Sequence, residues 1–223
     1  MEYAKLDAAL LGWQEAYRRI AETDTARPFG LQKAALATEA QILAAEKALG
    51  ARIPPDLRAF FLQYSGQVEF FAFLCEPFQS KLPAALRGIF CASLFLGVKG
   101  MVDSEKRRRD WVQSCFSNPK DAYDRVWHNK FGFMQVDNGD VIALDLHSGS
   151  VVYLSHDDGE GHGCVLGRSF EVFLANYVAV GLCGEEDWQM LPFIPDAASG
   201  LCPDCENAVL YRELVRAAGT EAV

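Results

Sequence analysis

Three short apolar runs, Phe131 to Val136, Val141 to Leu146 and Val151 to Ser155, follow one another with only a few polar residues between them. The connections are Asp137, Asn138, Gly139, Asp140 and then His147, Ser148, Gly149, Ser150. Asn and Gly tolerate the left-handed backbone of a tight hairpin, so the economical solution is an antiparallel meander. Whatever else the chain folds into must cover that sheet.

Helical patterns lie on both sides of it. Tyr3, Leu6, Leu10, Trp13, Tyr17 and Ile20 recur three or four apart and predict an amphipathic helix. Thr38 with Gln41 three residues on predicts a capped helix start, and Gly50 a left-handed end. Ile53, Pro54, Pro55 and Asp56 form a rigid corner whose second proline suits a first helical turn, with Gly66 expected to close that helix. Between Gln67 and Gly100 the chain is aromatic and poor in charge. There Phe70 to Leu74 and Ile89 to Leu96 are expected to be strands buried on both faces. Asp103 to Phe116 is expected to be a helix whose Lys106, Arg107, Arg108 and Arg109 form a solvated basic face. Ser169 should cap a helix ending near Gly181 or Gly184, and a short helix should run from Asn207 to Ala217. The predicted fold class is α+β, with helices packed on a twisted, mostly antiparallel sheet and extra helices at both ends.

At 223 residues, half of them hydrophobic, the chain is expected to be a single elaborated domain over 1–223. Its 30 acidic and 21 basic residues leave a formal charge of −9, which repels phosphate backbones and favours a basic protein partner over nucleic acid. No stretch approaches the ~18 apolar residues of a membrane helix, and the first residues do not resemble a signal peptide. Seven cysteines, an odd number mostly in apolar surroundings, fit a reducing compartment. A cytoplasmic protein with no membrane partner is the expectation.

No residue pattern in the sequence carries a complete catalytic signature. His147, His156 and His162 could in principle join Cys202 and Cys205 as zinc ligands, yet the second short-spaced pair of a zinc site is missing. The cysteine pair follows a loop near the C-terminus, unlike a thioredoxin-type dithiol. Asp157, Asp158 and Glu160 lack the spacing of a calcium loop. No nucleophile elbow singles out a serine, and Ser169 is explained as a cap. The chain is expected to have no catalytic residues, no metal and no cofactor.

The order of the pieces resembles the SUKH superfamily. Glu39, Glu46, Leu49, Gly50, Ile53, Pro54, Pro55, Asp56, Leu57, Phe60 and Gly66 are similar to its opening signature. Gly132 and Phe133, the strand Asp140 to Leu146, Gly149, the run Val151 to His156, and Ser169, Phe170, Phe173 and Leu174 follow at matching order and spacing. The resemblance covers 38–183. It leaves 1–37 as an N-terminal helical extension and 184–223 as a C-terminal tail with a short helix. The chain departs from the family in its greater length and in having only Gly66 where a glycine pair is usual.

What the resemblance implies is a non-enzymatic binding protein. Bacterial members are largely immunity proteins that bind and neutralise a cognate polymorphic toxin, often a nuclease, by occlusion. A fungal branch regulates cell-wall synthesis, so a regulatory or scaffolding protein with an endogenous partner is the alternative. An acidic surface suits a basic toxin. Loop residues Asp157, Asp158, Glu160 and His162 are the first candidates for partner contact, and Glu185, Glu186 and Asp187 the second.

Overall fold

The computed structural model describes residues 2–22 and 25–220. Helix α1 (Tyr3–Tyr17) buries the predicted stripe of Leu6, Leu10, Trp13 and Tyr17. It is pinned when Trp13 Nε1 donates to the Val178 carbonyl at 2.7 Å. Strand β1 (Gly30–Lys33) is not among the elements expected from the sequence. Four residues carry too little pattern to announce a strand, and its state comes from pairing along Phe71 to Val68.

Helix α2 (Glu39–Leu49) has the predicted reciprocal cap between Thr38 and Gln41 and ends at Gly50 with φ 61°. Helix α3 (Pro55–Gln63) starts on its proline. Gly66 serves a different purpose from the expected helix stop. Its N–H donates to the Ala35 carbonyl at 2.8 Å, and a Cβ there would lie 3.0 Å from that same oxygen.

Strand β2 (Gln67–Phe73) leads through the short helix α4 (Glu76–Gln79) and a 3-10 turn at Ala84–Leu86 to β3 (Cys91–Gly97). These join β1 in a three-stranded antiparallel sheet ordered β1-β2-β3. The register sets Val68, Phe70 and Ala72 beside Leu96, Leu94 and Ala92 on the core face. It sets Phe71 and Phe73 beside Ser93 and Cys91 on the other. That outer face is not fully covered: β2 alternates between buried and more open positions, which corrects the expectation of burial on both sides.

Helix α5 (Val98–Ser114) begins earlier than its sequence pattern suggested. Its basic cluster is only partly a solvated face. Arg108 is buried and makes a two-toothed contact with buried Glu105, Nε to Oε2 at 2.8 Å and a terminal nitrogen to Oε1 at 2.9 Å. Glu105 also accepts from Arg109 and from the Gly132 N–H. Residues only four apart on a helix share a face, and a carboxylate at 105 turned that face inward.

After α6 (Asp124–Trp127) comes the predicted meander, β4 (Lys130–Gln135), β5 (Val141–Asp145) and β6 (Val151–Leu154), extended by a fourth strand β7 (Val165–Gly167). All neighbours are antiparallel. Ile142, Leu144, Val151 and Tyr153 face the main core, while Val141, Ala143, Val152 and Leu154 pack with Trp127 in a second cluster. Trp111, Phe116 and Tyr123 cover that cluster. Helix α7 (Phe170–Ala179) is capped by Ser169, whose side chain accepts from the Val172 N–H. Helix α8 (Asp187–Met190), a second 3-10 turn at Leu191–Phe193 and helix α9 (Glu206–Thr220) complete the order. The main core runs from Leu6 on α1 to Val215 on α9.

Candidate binding site

Directly after α7 the backbone is forced into an uncommon path. Gly181 (φ 101°), Leu182 (φ 58°) and Gly184 (φ 92°) all take left-handed conformations, which for leucine costs roughly 1–3 kcal/mol. The path is held by hydrogen bonds at the open edge of β3. The Ser93 N–H donates to the Leu182 carbonyl at 2.9 Å. Tyr177 Oη shares its proton between the carbonyls of Ser93 and Gly184, at 2.9 and 2.8 Å. Gly184 is required twice over, because its positive φ is accompanied by the Gln189 amide seated where a Cβ would stand.

This strap turns Glu185 back over the outer face of the first sheet. A cleft of about 650 Å³ results, walled by Phe71, Phe73 and Phe90 and lined by Cys91, Ser93, Arg27, Asp137, Glu22, Glu185, Glu186 and Gln189. Its size lies in the range of small-ligand sites. Glu185 is only 6% exposed, and its Oε1 has no hydrogen-bond partner. The Ser93 hydroxyl is near enough to favour the ionised carboxylate, yet it makes no hydrogen bond of standard geometry and is itself unpartnered.

Burial pushes the Glu185 carboxyl up to about 8, opposed in part by Ser93 and Arg27 and assisted by Asp137 and Glu186. Glu186 is raised to about 7, first by burial and then by Asp140, Asp187 and Asp137. The Cys91 thiol is pushed up to about 12 by burial and by Glu185. It stays protonated near neutral pH and is a poor nucleophile there. With Glu22, Asp137, Glu185 and Glu186 together on its lining, the cleft is suited to holding positive charge, which would let these groups ionise.

The protein's own Arg27 shows how. Its guanidinium lies over the Phe95 ring at 4.6 Å and the Phe71 ring at 5.6 Å from the centroids, and it pairs with Asp137 at 3.0 Å. Aromatic faces and a carboxylate together make a cation site.

The loop from 156 to 163, first choice on sequence grounds, adjoins this region. Asp157, Asp158 and Glu160 are exposed on it. His162 is directed inward. It stacks on Tyr123 with centroids 3.7 Å apart, accepts the Ser155 N–H at Nδ1 and faces the Tyr123 carbonyl through Nε2 at 3.1 Å. That arrangement fixes a neutral ring with its proton on Nε2, and burial accordingly lowers its pKa.

The second trio is divided. Glu185 and Glu186 line the cleft, while Asp187 is buried and accepts the Gly161 N–H at 2.9 Å, so it ties loop to strap.

Of the histidine and cysteine candidates, His147 sits exposed in the turn after β5, and Cys202 and Cys205 are free thiols by α9. His156 does meet carboxylates. With Asp140 and Asp157 it is the one group among the described residues with three ligand atoms mutually within 4.8 Å. Asp140 is already occupied by Tyr153 Oη at 2.8 Å, Asn138 Nδ2 at 2.9 Å, and the backbone and ring nitrogens of His156 at 2.8 and 2.6 Å. This group is a hydrogen-bonded node beneath the turns.

Sequence reasoning missed Arg27, Phe71, Phe73, Phe90 and Ser93. The density of phenylalanine between Gln67 and Gly100 was the available signal, since an excess over what one core face needs must go to the other face.

Compared with known protein families, the chain matches the SMI1 / KNR4 family (SUKH-1) over residues 36–176, well over half its length. The chain belongs to this family. No curated protein matches it significantly. SUKH-1 membership is consistent with toxin immunity or a regulatory role, functions that rest on protein partners. In this SUKH-1 chain the cleft draws on both sides of the matched span. Phe71, Phe73, Phe90 and Ser93 lie inside it, whereas Arg27, Glu185, Glu186 and Gln189 lie outside. No helix among the described residues is long and apolar enough to cross a membrane.

Proposed function

We propose that this SUKH-1 protein is a non-enzymatic, cytoplasmic immunity protein that binds and neutralises a basic cognate toxin by covering its working surface. The carrying observation is the cleft of carboxyl groups against the first sheet, Glu22, Asp137, Glu185 and Glu186, in a chain with a formal charge of −9. Toxins that act on nucleic acid need basic surfaces, and a carboxylate-rich face attracts such a surface at long range and covers it on contact. Exposed Asp157, Asp158 and Glu160 on the neighbouring loop extend the same negative field. Inhibition of this kind requires affinity and no turnover. The working unit is the single domain 1–223, its 38–183 core carrying additions that build the site.

The test is co-expression of the full chain with each toxin gene found beside its own. Survival of the cells, and a one-to-one complex whose association slows steeply as salt rises, are expected. If no neighbouring toxin is neutralised and the chain instead captures an endogenous envelope or metabolic protein, the regulatory reading replaces this one.

A further inference from the structure

We propose that the cleft over β2 and β3 is a receptor for one basic side chain, a lysine or arginine with its aliphatic stem, delivered by the protein partner. The inference rests on the binding-protein reading above and specifies the chemistry of its central contact.

Four observations converge on that occupant. Glu185 is only 6% exposed and lines the cleft with a carboxyl oxygen, Oε1, that has no hydrogen-bond partner of standard geometry. A buried acceptor left open is costly, so its presence is explained by a donor that arrives. Ser93 Oγ, equally unpartnered and 2% exposed, lies on the same wall. Phe71, Phe73 and Phe90 give the cleft one apolar wall, with Phe73 and Phe90 centroids 5.9 Å apart, which suits a methylene stem rather than a bare ion. Finally, Arg27 already occupies the adjoining half of this sheet face in the expected manner, over Phe71 and Phe95 and against Asp137.

A metal ion fits less well. Among the described residues, Glu185, Glu186 and Asp137 do not bring three ligand atoms within reach of one another. An anion is opposed by four carboxyl groups, Glu22, Asp137, Glu185 and Glu186, facing the single guanidinium of Arg27.

Binding must also draw a proton off the cleft. Glu185 holds its proton up to about 8 when the cleft is empty. A cation seated beside it favours the carboxylate, so affinity should rise with pH. The groups facing Glu185 are Arg27, Asp137, Glu186, Ser93, Cys91 and Tyr177.

Agmatine, which carries a guanidinium and an ammonium on a butyl stem, is the probe. Titrated into the full chain by calorimetry and followed by amide chemical shifts, it should bind saturably at one site. Shifts should centre on Phe71, Phe73, Ser93 and Glu185, and affinity should rise about tenfold from about pH 7 to about pH 9. Glu185→Gln should weaken binding about tenfold at about pH 9 and remove most of the pH dependence, Glu186 accounting for the remainder. Phe73→Ala, at a 36% exposed position that folding should tolerate, should weaken binding several-fold. No saturable binding, shifts centred elsewhere, or a Glu185→Gln protein that binds as the parent does would each overturn the proposal.

A toxin complex that forms but is indifferent to both agmatine and Glu185→Gln overturns this inference and leaves the immunity reading standing. Agmatine bound as expected, in a chain that neutralises no toxin, supports the cleft chemistry and overturns the immunity reading.

Discussion

Asp187 and Gly161 are locked together across 26 residues of chain: the Asp187 carboxylate accepts the Gly161 N–H at 2.9 Å, and a Cβ on Gly161 would lie 2.5 Å from the Asp187 Cβ. The contact joins the loop carrying Asp157, Asp158 and Glu160 to the strap carrying Glu185 and Glu186. Two acidic segments far apart in sequence thereby form one surface. Asp187 also accepts the Trp188 N–H, and its own N–H donates to Tyr153 Oη, so the strap is anchored to β6 as well.

Asp187→Ala should leave the Gly161 N–H unpaired in a buried place and cost about 1–3 kcal/mol. Gly161→Ala should cost a comparable amount by steric displacement. Urea denaturation measures both, and amide exchange at residues 159–163 should accelerate in either variant. Unchanged exchange in that loop would show that the tie does not position it.

Glu105 holds a buried charge network together, meeting Arg108, Arg109 and the Gly132 N–H. Truncating it to alanine strands the buried guanidinium of Arg108 and should cost about 3–5 kcal/mol. Arg109, whose side chain is 41% exposed, should matter far less, and Arg109→Ala is expected to cost about 1 kcal/mol or under. The two denaturation midpoints, compared directly, check this ranking.

This network also shows where reading the sequence stops. The meander, the Thr38–Gln41 cap, the Gly50 stop and the proline start of α3 depend on residues close in the chain, and all were legible. SUKH membership followed from their order. By contrast, composition alone does not distinguish Arg108 from Arg107: the first turns inward because Glu105, three residues back on the same helix, is itself buried and because the Trp127 carbonyl of α6 awaits it. The cleft was hidden for the same reason. Glu185 and Glu186 were candidates as exposed acids, but their partners Phe71, Ser93 and Arg27 come from segments about 90 to 160 residues away, brought there by the left-handed turn at Leu182. Strand β1 was missed because pairing with β2, and not its own four residues, makes it a strand.

His162 should make the fold sensitive to acid. Its pKa is lowered in the folded state, so below the ordinary imidazole value of ~6.5 the unfolded chain binds more protons than the native one. Stability from this group is therefore full above that value and is lost as pH falls. Protonation would put a second N–H against the Ser155 N–H that Nδ1 now accepts. Tyr123, Asp140 and Asp158 are the titratable groups around it. Glu185 and Glu186 act in the opposite direction over the same range, so the informative quantity is the difference between parent and His162→Gln. Thermal melts from about pH 7 to about pH 5 should show the parent losing more stability than the variant.

Glu185 gives the reverse dependence, and the sign follows from its raised pKa. Between the ordinary glutamate value of 4.5 and about 8 the native protein carries a proton that the unfolded chain has released. Stability from the neutral form is full below the lower value and is lost as pH climbs through the upper one. From about pH 7 to about pH 9 His162 has finished titrating, and the loss should amount to roughly 1 kcal/mol. Glu185→Gln keeps the shape and has no proton to release, so its stability should decline clearly less than the parent's over that interval, the remaining slope coming from Glu186. Urea midpoints at the two pH values decide the matter: parallel curves would mean that the carboxyl is already ionised in the folded protein. Added agmatine should flatten the parent's decline as well, because a bound cation supplies the partner that ionised Glu185 otherwise lacks.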